Sequence, residues 1–229
     1  MHDPFDVRAL DGSALALRGL ALEPGTTAPL GEPEHDTLLY VGRGAGTLSI
    51  ADDSAPVGAR SAGLVLAGEE AVLNVADELE AVVATVAPST DLHAPMGHRD
   101  LVTSLDDEDA QAATGSRSFQ ILFGPHNGST RATFFAGFIP PGKAPWHYHL
   151  YDEIVWVPDG PGRLHLEGGS DELTAGVKIP MIVISLSLAF STMCTWRGRS
   201  LKAAPAASSS LPPSRCRRPG PSGTQTISS

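Results

Sequence analysis

Gly142-Lys143-Ala144-Pro145-Trp146-His147-Tyr148-His149-Leu150-Tyr151-Asp152-Glu153 is followed closely by Trp156-Val157-Pro158-Asp159-Gly160-Pro161-Gly162-Arg163-Leu164. His147 and His149 are two positions apart, so on a strand they share a face. Glu153 has the same parity and can join them beyond a turn. Two imidazoles and a carboxylate converging in a barrel interior form a donor set for a first-row divalent metal. Imidazole alone suits Fe, Ni, Cu or Zn, and the hard carboxylate tilts the set toward Mn(II) or Fe(II). A metal so held acts as a Lewis acid, or binds and activates substrate and dioxygen.

The second part of this stretch has a counterpart far upstream. Tyr40-Val41-x-x-Gly44-x-Gly46-x-Leu48 reappears as Trp156-Val157-x-x-Gly160-x-Gly162-x-Leu164, a shift of 116 residues. Ahead of each copy stands a Pro-Gly segment, Pro24-Gly25-Thr26-Thr27-Ala28-Pro29 and Pro141-Gly142-Lys143-Ala144-Pro145. A third match pairs Leu66-Ala67-Gly68 with Thr174-Ala175-Gly176, at a shift of 108, which predicts a longer hairpin in the first copy. An ordered series of this kind marks an internal repeat.

Each copy reads as short strands broken by Gly, Asp and Pro turns. The first is predicted at Thr37–Val41, Gly46–Ile50, Leu64–Leu66 and Leu79–Val86, the second at Ser118–Phe123, Arg131–Ile139, Glu153–Val157 and Arg163–Glu167. Helical periodicity is absent apart from a possible turn near Ser104–Ala113, where the acidic run Leu105-Asp106-Asp107-Glu108-Asp109 suggests a connection between domains. The 24 Gly and 19 Pro suit many strands joined by tight turns. An all-β protein follows, with residues 1–95, a linker at 96–116 and residues 117–178 as its units.

The net charge of -10 argues against binding nucleic acid or an anionic membrane. No stretch reaches the length of a membrane span, and Met1-His2-Asp3-Pro4 lacks the basic start and apolar core of a signal peptide, so a cytoplasmic protein is expected. The charge is unevenly spread. Residues 1–172 hold all 26 acidic residues against nine basic ones, a net of −17, whereas 173–229 hold seven Lys/Arg and no acid. The repeat and the histidines also end near Gly176. Residues 179–229, which include Cys194 and Cys216, are expected to be an aberrant or disordered tail, produced by a change of reading frame or native to the protein. Neither cysteine is expected to do chemistry.

These residues resemble the cupin superfamily, whose first motif is G-x5-H-x-H-x3/4-E-x6-G. Gly142, His147, His149, Glu153 and Gly160 match it, with four rather than five residues before the first His. The resemblance implies two tandem jelly-roll β-barrels, the second incomplete. It is most specific around 138–162, where the chain is similar to ureidoglycine aminohydrolase-type bicupins, which use Mn in the second barrel. The family's second motif, G-x5-P-x-G-x2-H-x3-N, supplies a fourth ligand. Started at Gly176, it puts Ile182 at the Pro position and Ser187 at the His position, and no histidine follows His165. The chain therefore offers three of the four ligands.

Moved back by 116, the three ligands fall on Gly31, Pro33 and Thr37, so the first copy is degenerate and is expected to serve as scaffold or homodimer surface. His35 reads as a loop histidine, His126 as a turn residue, His93 and His98 as linker residues, and His165 as structural. Arg131, Lys143 and Tyr148 are candidates for binding an anionic substrate, and Trp146 and Trp156 are expected in the core. Catalytic residues beyond the ligands are not identifiable. Two readings stay open: a metal-dependent hydrolase or dioxygenase acting on a small polar metabolite, and a non-catalytic small-molecule-binding or regulatory protein. A non-functional product of a disrupted frame is the third.

Overall fold

The computed structural model describes residues 10–11, 15–88, 93–113, 115–141, 153–156, 162–166, 169–173 and 181–185. Their regular structure is entirely β. The strands are β1 (Leu10–Asp11), β2 (Leu15–Leu22), β3 (Thr27–Leu30), β4 (Asp36–Arg43), β5 (Ala45–Ile50), β6 (Asp53–Gly58), β7 (Ser61–Val65), β8 (Ala71–Val75) and β9 (Leu79–Val86). After them come β10 (Val102–Ser104), β11 (Gln111–Ala112), β12 (Ser118–Phe123), β13 (Thr133–Phe138), β14 (Glu153–Trp156), β15 (Gly162–Leu166), β16 (Gly169–Leu173) and β17 (Met181–Ser185). Every pairing among them is antiparallel.

The first module is a jelly-roll sandwich. A six-stranded sheet runs β1-β2-β9-β4-β7-β10, and a four-stranded sheet runs β3-β8-β5-β6. Period-two alternation explains the smaller sheet. Leu48 and Leu73 are fully buried, whereas the intervening Thr47 and the neighbouring Asn74 face outward. The two sheets enclose Leu39, Val41, Leu48, Leu73, Leu79 and Val83 in one apolar core. Gly44 turns β4 into β5 with φ +88, and a side chain there would collide with the Glu78 carbonyl, so only glycine fits.

The six-stranded sheet is buried on both faces, which is why β4 and β9 read as near-continuous apolar runs rather than alternating ones. Its second face, carrying Leu17, Leu38, Tyr40, Leu64 and Val82, meets Leu122, Phe134, Ala136 and Trp156 of the second module. That module's main sheet runs β11-β12-β13-β17-β14, and β15-β16 form a separate hairpin. The connection between modules is itself structured. β10 extends the six-stranded sheet beyond β7, and β11 opens the second sheet beside β12. Main-chain bonds from His93, Met96 and Asp100 to Thr130, Pro125 and Asn127 sew it to the second module.

The repeat is visible in the strand registers. Thr85 of β9 stands opposite both Ala16 of β2 and Thr37 of β4. Ser185 of β17 stands opposite both Thr133 of β13 and Glu153 of β14. β17 thus holds the central place in its sheet that β9 holds in the first. The offset between copies is 117 residues from Ala16 to Thr133, 116 from Thr37 to Glu153 and 100 from Thr85 to Ser185. The second copy reaches its central strand 16 residues sooner, and among the described residues it has no counterpart of β7 and β8.

Two expectations are corrected by these registers. The shift of 108 does not hold. β5–β6 pairs Gly46 with Val57 and β15–β16 pairs Gly162 with Leu173, so the hairpins match residue for residue at 116. Gly176 then corresponds to Arg60, which has φ +72, and not to Gly68. Second, the sheet does not stop at 178. Met-Ile-Val-Ile-Ser, at the head of the tail, is β17. Without it β13 and β14 would each present an unpaired edge, and its β-branched residues suit a central strand. The remainder of the tail, 186–229, lies outside the described residues.

Candidate functional site

Glu153 opens β14, opposite Ser185. Ile154 and Trp156 of the same strand pack on the first module, so period-two alternation assigns position 153 to the other face of the sheet. On that face of β12 and β13, Phe119 and Phe135 meet edge to face, with ring centroids 6.4 Å apart and planes at 81°. The position of Glu153 is therefore set on a hydrogen-bonded strand, on the same face of the sheet as that aromatic pair but two strands away from β13. His147 and His149 lie outside the described residues, as do Lys143, Trp146 and Tyr148. Among the described residues, no three His, Cys, Asp or Glu side chains are grouped to hold a metal. The donor set itself, two imidazoles and one carboxylate, fits Mn(II) or Fe(II).

The first module's interior is filled with aliphatic side chains, and the positions equivalent to the ligands carry none. Gly31 has φ +108, and a side chain there would meet the Glu69 carbonyl. Thr37, the counterpart of Glu153, is buried, and its Oγ1 has no hydrogen-bond partner. The degenerate half is a packed core.

Arg131 has protein partners. Its Nη1 lies 3.4 Å from the buried Asp36 carboxylate and donates to the Glu34 carbonyl at 2.9 Å. Asp36 also accepts from the Ala67 amide at 2.9 Å. The guanidinium thereby ties the start of β13 to the start of β4. His35 is half-buried in the loop beside it. His126 sits in the turn Gly124–Gly128, where the buried Asn127 accepts from the Gly124 amide at 2.9 Å. His98 pairs with Asp100 at 2.9 Å on the surface, and His165 lies in β15 opposite Ser170. The Asp36–Arg131 link was missed from sequence because its partners are 95 positions apart and no local signal joins them.

No family model matches the chain, and no curated protein is similar to it in sequence. Solved structures are. A putative glyoxylate induced protein from Pseudomonas aeruginosa has a TM-score of 0.63 at 13% identity, over 81% of this chain and 80% of that one. A cupin 2 conserved barrel domain protein from Leptotrichia buccalis has a TM-score of 0.54 at 13% identity, over 78% and 86%. Oxalate decarboxylase from Bacillus subtilis, described for its Mn(II) centers, has a TM-score of 0.55 at 12% identity, over 77% and 66%. At such identities the likeness is one of fold, and it defines the class: this is an all-β chain with the cupin jelly-roll fold. Among the described residues, no helix is long and apolar enough to cross a membrane.

Proposed function

We propose that the chain is a cupin-fold metalloprotein whose second module holds Mn(II) or Fe(II) through His147, His149 and Glu153. The observation that carries this reading is the place of Glu153. It falls at the head of β14, on the face away from the first module, and two histidines precede it at matching parity. The Mn(II) centers of the structurally similar oxalate decarboxylase support the choice of metal. When bound, such a metal supplies Lewis acidity to a small polar substrate. The chain's own part is to supply two neutral imidazoles and a carboxylate, the last from the head of a hydrogen-bonded strand. Hydrolysis or dioxygen-dependent oxidation of a small polar metabolite follows as the reaction class, with ureidoglycine the first compound to try.

A second reading, a small-molecule-binding protein without turnover, is favoured by the 16-residue shortening between β16 and β17. Among the described residues the second module lacks the counterparts of β7 and β8 that would wall its barrel.

The test is metal content. The full chain, purified without added chelator, is expected to carry Mn or Fe near one equivalent by mass spectrometry, and His147→Ala or His149→Ala to lose it. Metal-free wild type that takes up neither ion overturns the proposal. Stoichiometric metal without turnover in a mixed metabolite screen selects the second reading.

A further inference from the structure

The first module contains a pocket unrelated to the candidate metal centre. It has a volume of about 400 Å³ and is lined by Ile50, Asp53, Ser54, Ala55, Arg99 and Leu101. It lies where the tip of the β5–β6 hairpin meets the connecting segment. Ile50 and Leu101 are half-buried against the first core and give the pocket an apolar floor. Its two charged residues differ in their surroundings. Arg99 Nη2 lies 2.6 Å from a Glu69 carboxylate oxygen and also donates to the Leu64 carbonyl, so its charge is compensated. Asp53 and Ser54 are exposed at the pocket's rim; Asp53 makes no ion pair among the described residues, and Ser54 beside it adds a hydroxyl.

We propose that this pocket binds a small amphiphilic cation: a primary ammonium group carried on a short hydrocarbon body. The ammonium is held by Asp53 and Ser54, and the hydrocarbon lies over Ile50, Ala55 and Leu101. An exposed carboxylate with no ionic partner, in a pocket whose guanidinium is already paired with Glu69, favours a cation over an anion. The net charge of −17 over residues 1–172 raises the local concentration of such ligands. The volume is in the range of small-molecule sites.

The test uses the full chain labelled with nitrogen-15 and titrated with n-butylamine and 1,5-diaminopentane, with n-butanol and butyrate as comparisons. Amide shifts are expected at Ile50–Ala55 and Leu101 with the amines only. Asp53→Asn should weaken amine binding about tenfold, as when a charge-assisted hydrogen bond becomes neutral. Asp77→Asn, an exposed acid outside the pocket, should leave it unchanged. Ala55→Leu, which fills the pocket, should abolish binding by a route independent of charge. Equal shifts with butanol or butyrate, no shift with either amine, or full binding by folded Asp53→Asn or Ala55→Leu would each overturn the assignment.

Discussion

Tyr40 and Trp156 occupy the same place in the two copies of the repeat, and they touch. Their ring centroids are 6.1 Å apart with planes at 65°, and Phe134 stands edge-on to Tyr40 at 6.3 Å. The repeat therefore packs against itself through corresponding faces. A double-mutant cycle on Tyr40→Ala and Trp156→Ala, read by urea unfolding, is expected to give a coupling of about 0.5–1.5 kcal/mol. Additive losses would mean that the rings pack independently.

Phe134 is fully buried between the modules. Phe134→Ala should destabilise by about 3–5 kcal/mol, since it removes a large apolar side chain and leaves a cavity on both partners. Because the interface core is shared, fluorescence and circular dichroism should report one coincident unfolding transition in the wild type. Two separated transitions would show that the modules unfold as independent units.

Arg131→Ala separates a structural role from a ligand-binding one. The substitution leaves the Asp36 carboxylate buried with the Ala67 amide as its remaining hydrogen-bond partner. A loss of about 2–3 kcal/mol is expected, below that of a fully buried pair because the guanidinium keeps some exposure. Metal content should not change. A variant as stable as wild type would favour the substrate-binding role of Arg131.

The place of β17 can be tested by truncation. A chain ending at Lys178 lacks the strand between β13 and β14, and hydrogen exchange should become fast at those amides of Thr133–Gly137 that face β17, while those bonded to β12 stay protected. A chain ending at Phe190 should keep these amides protected. Equal protection in both would show that another segment pairs with β13.

The β5–β6 hairpin has a two-residue loop, with Ile50 opposite Asp53 and Ala51 at φ +49. Such loops favour Asn or Gly at the left-handed position. Ala51→Asn should stabilise the protein by about 0.5 kcal/mol, seen as a raised urea midpoint. No change in the midpoint would mean that the hairpin tip relaxes in the unfolded ensemble and contributes nothing.

Much of this architecture was legible in the chain. Leu79–Val86 and Ser118–Phe123 were read to the residue, because apolar and β-branched runs flanked by turn residues leave little choice. β2 was missed because Arg18 and Gly19 interrupt its alternation, although both ends of the strand are apolar. β6 was missed because Asp53, Ser54 and Pro56 read as loop, yet polar residues and proline are how an edge strand avoids unwanted pairing. β17 was missed because it begins a segment whose composition breaks from the rest, and only the vacancy between β13 and β14 marks it as a strand. At the candidate site, the β-branched and aromatic run Glu153–Val157 predicts that Glu153 opens a strand, whereas the Asp36–Arg131 link depends on tertiary contact alone.

The double burial of the six-stranded sheet bears on how the protein is made. During synthesis β1 to β9 of the first module are complete at Val86, yet the face carrying Leu38, Tyr40 and Val82 is only partly covered until Phe134 emerges. At ordinary elongation rates that interval lasts roughly 2–10 seconds. Throughout it, the nascent chain presents a preformed apolar wall to its surroundings. A ribosome-associated chaperone, or slow docking by other apolar surfaces, would compete for that wall, so the yield of native protein should depend on translation speed between residues 86 and 134.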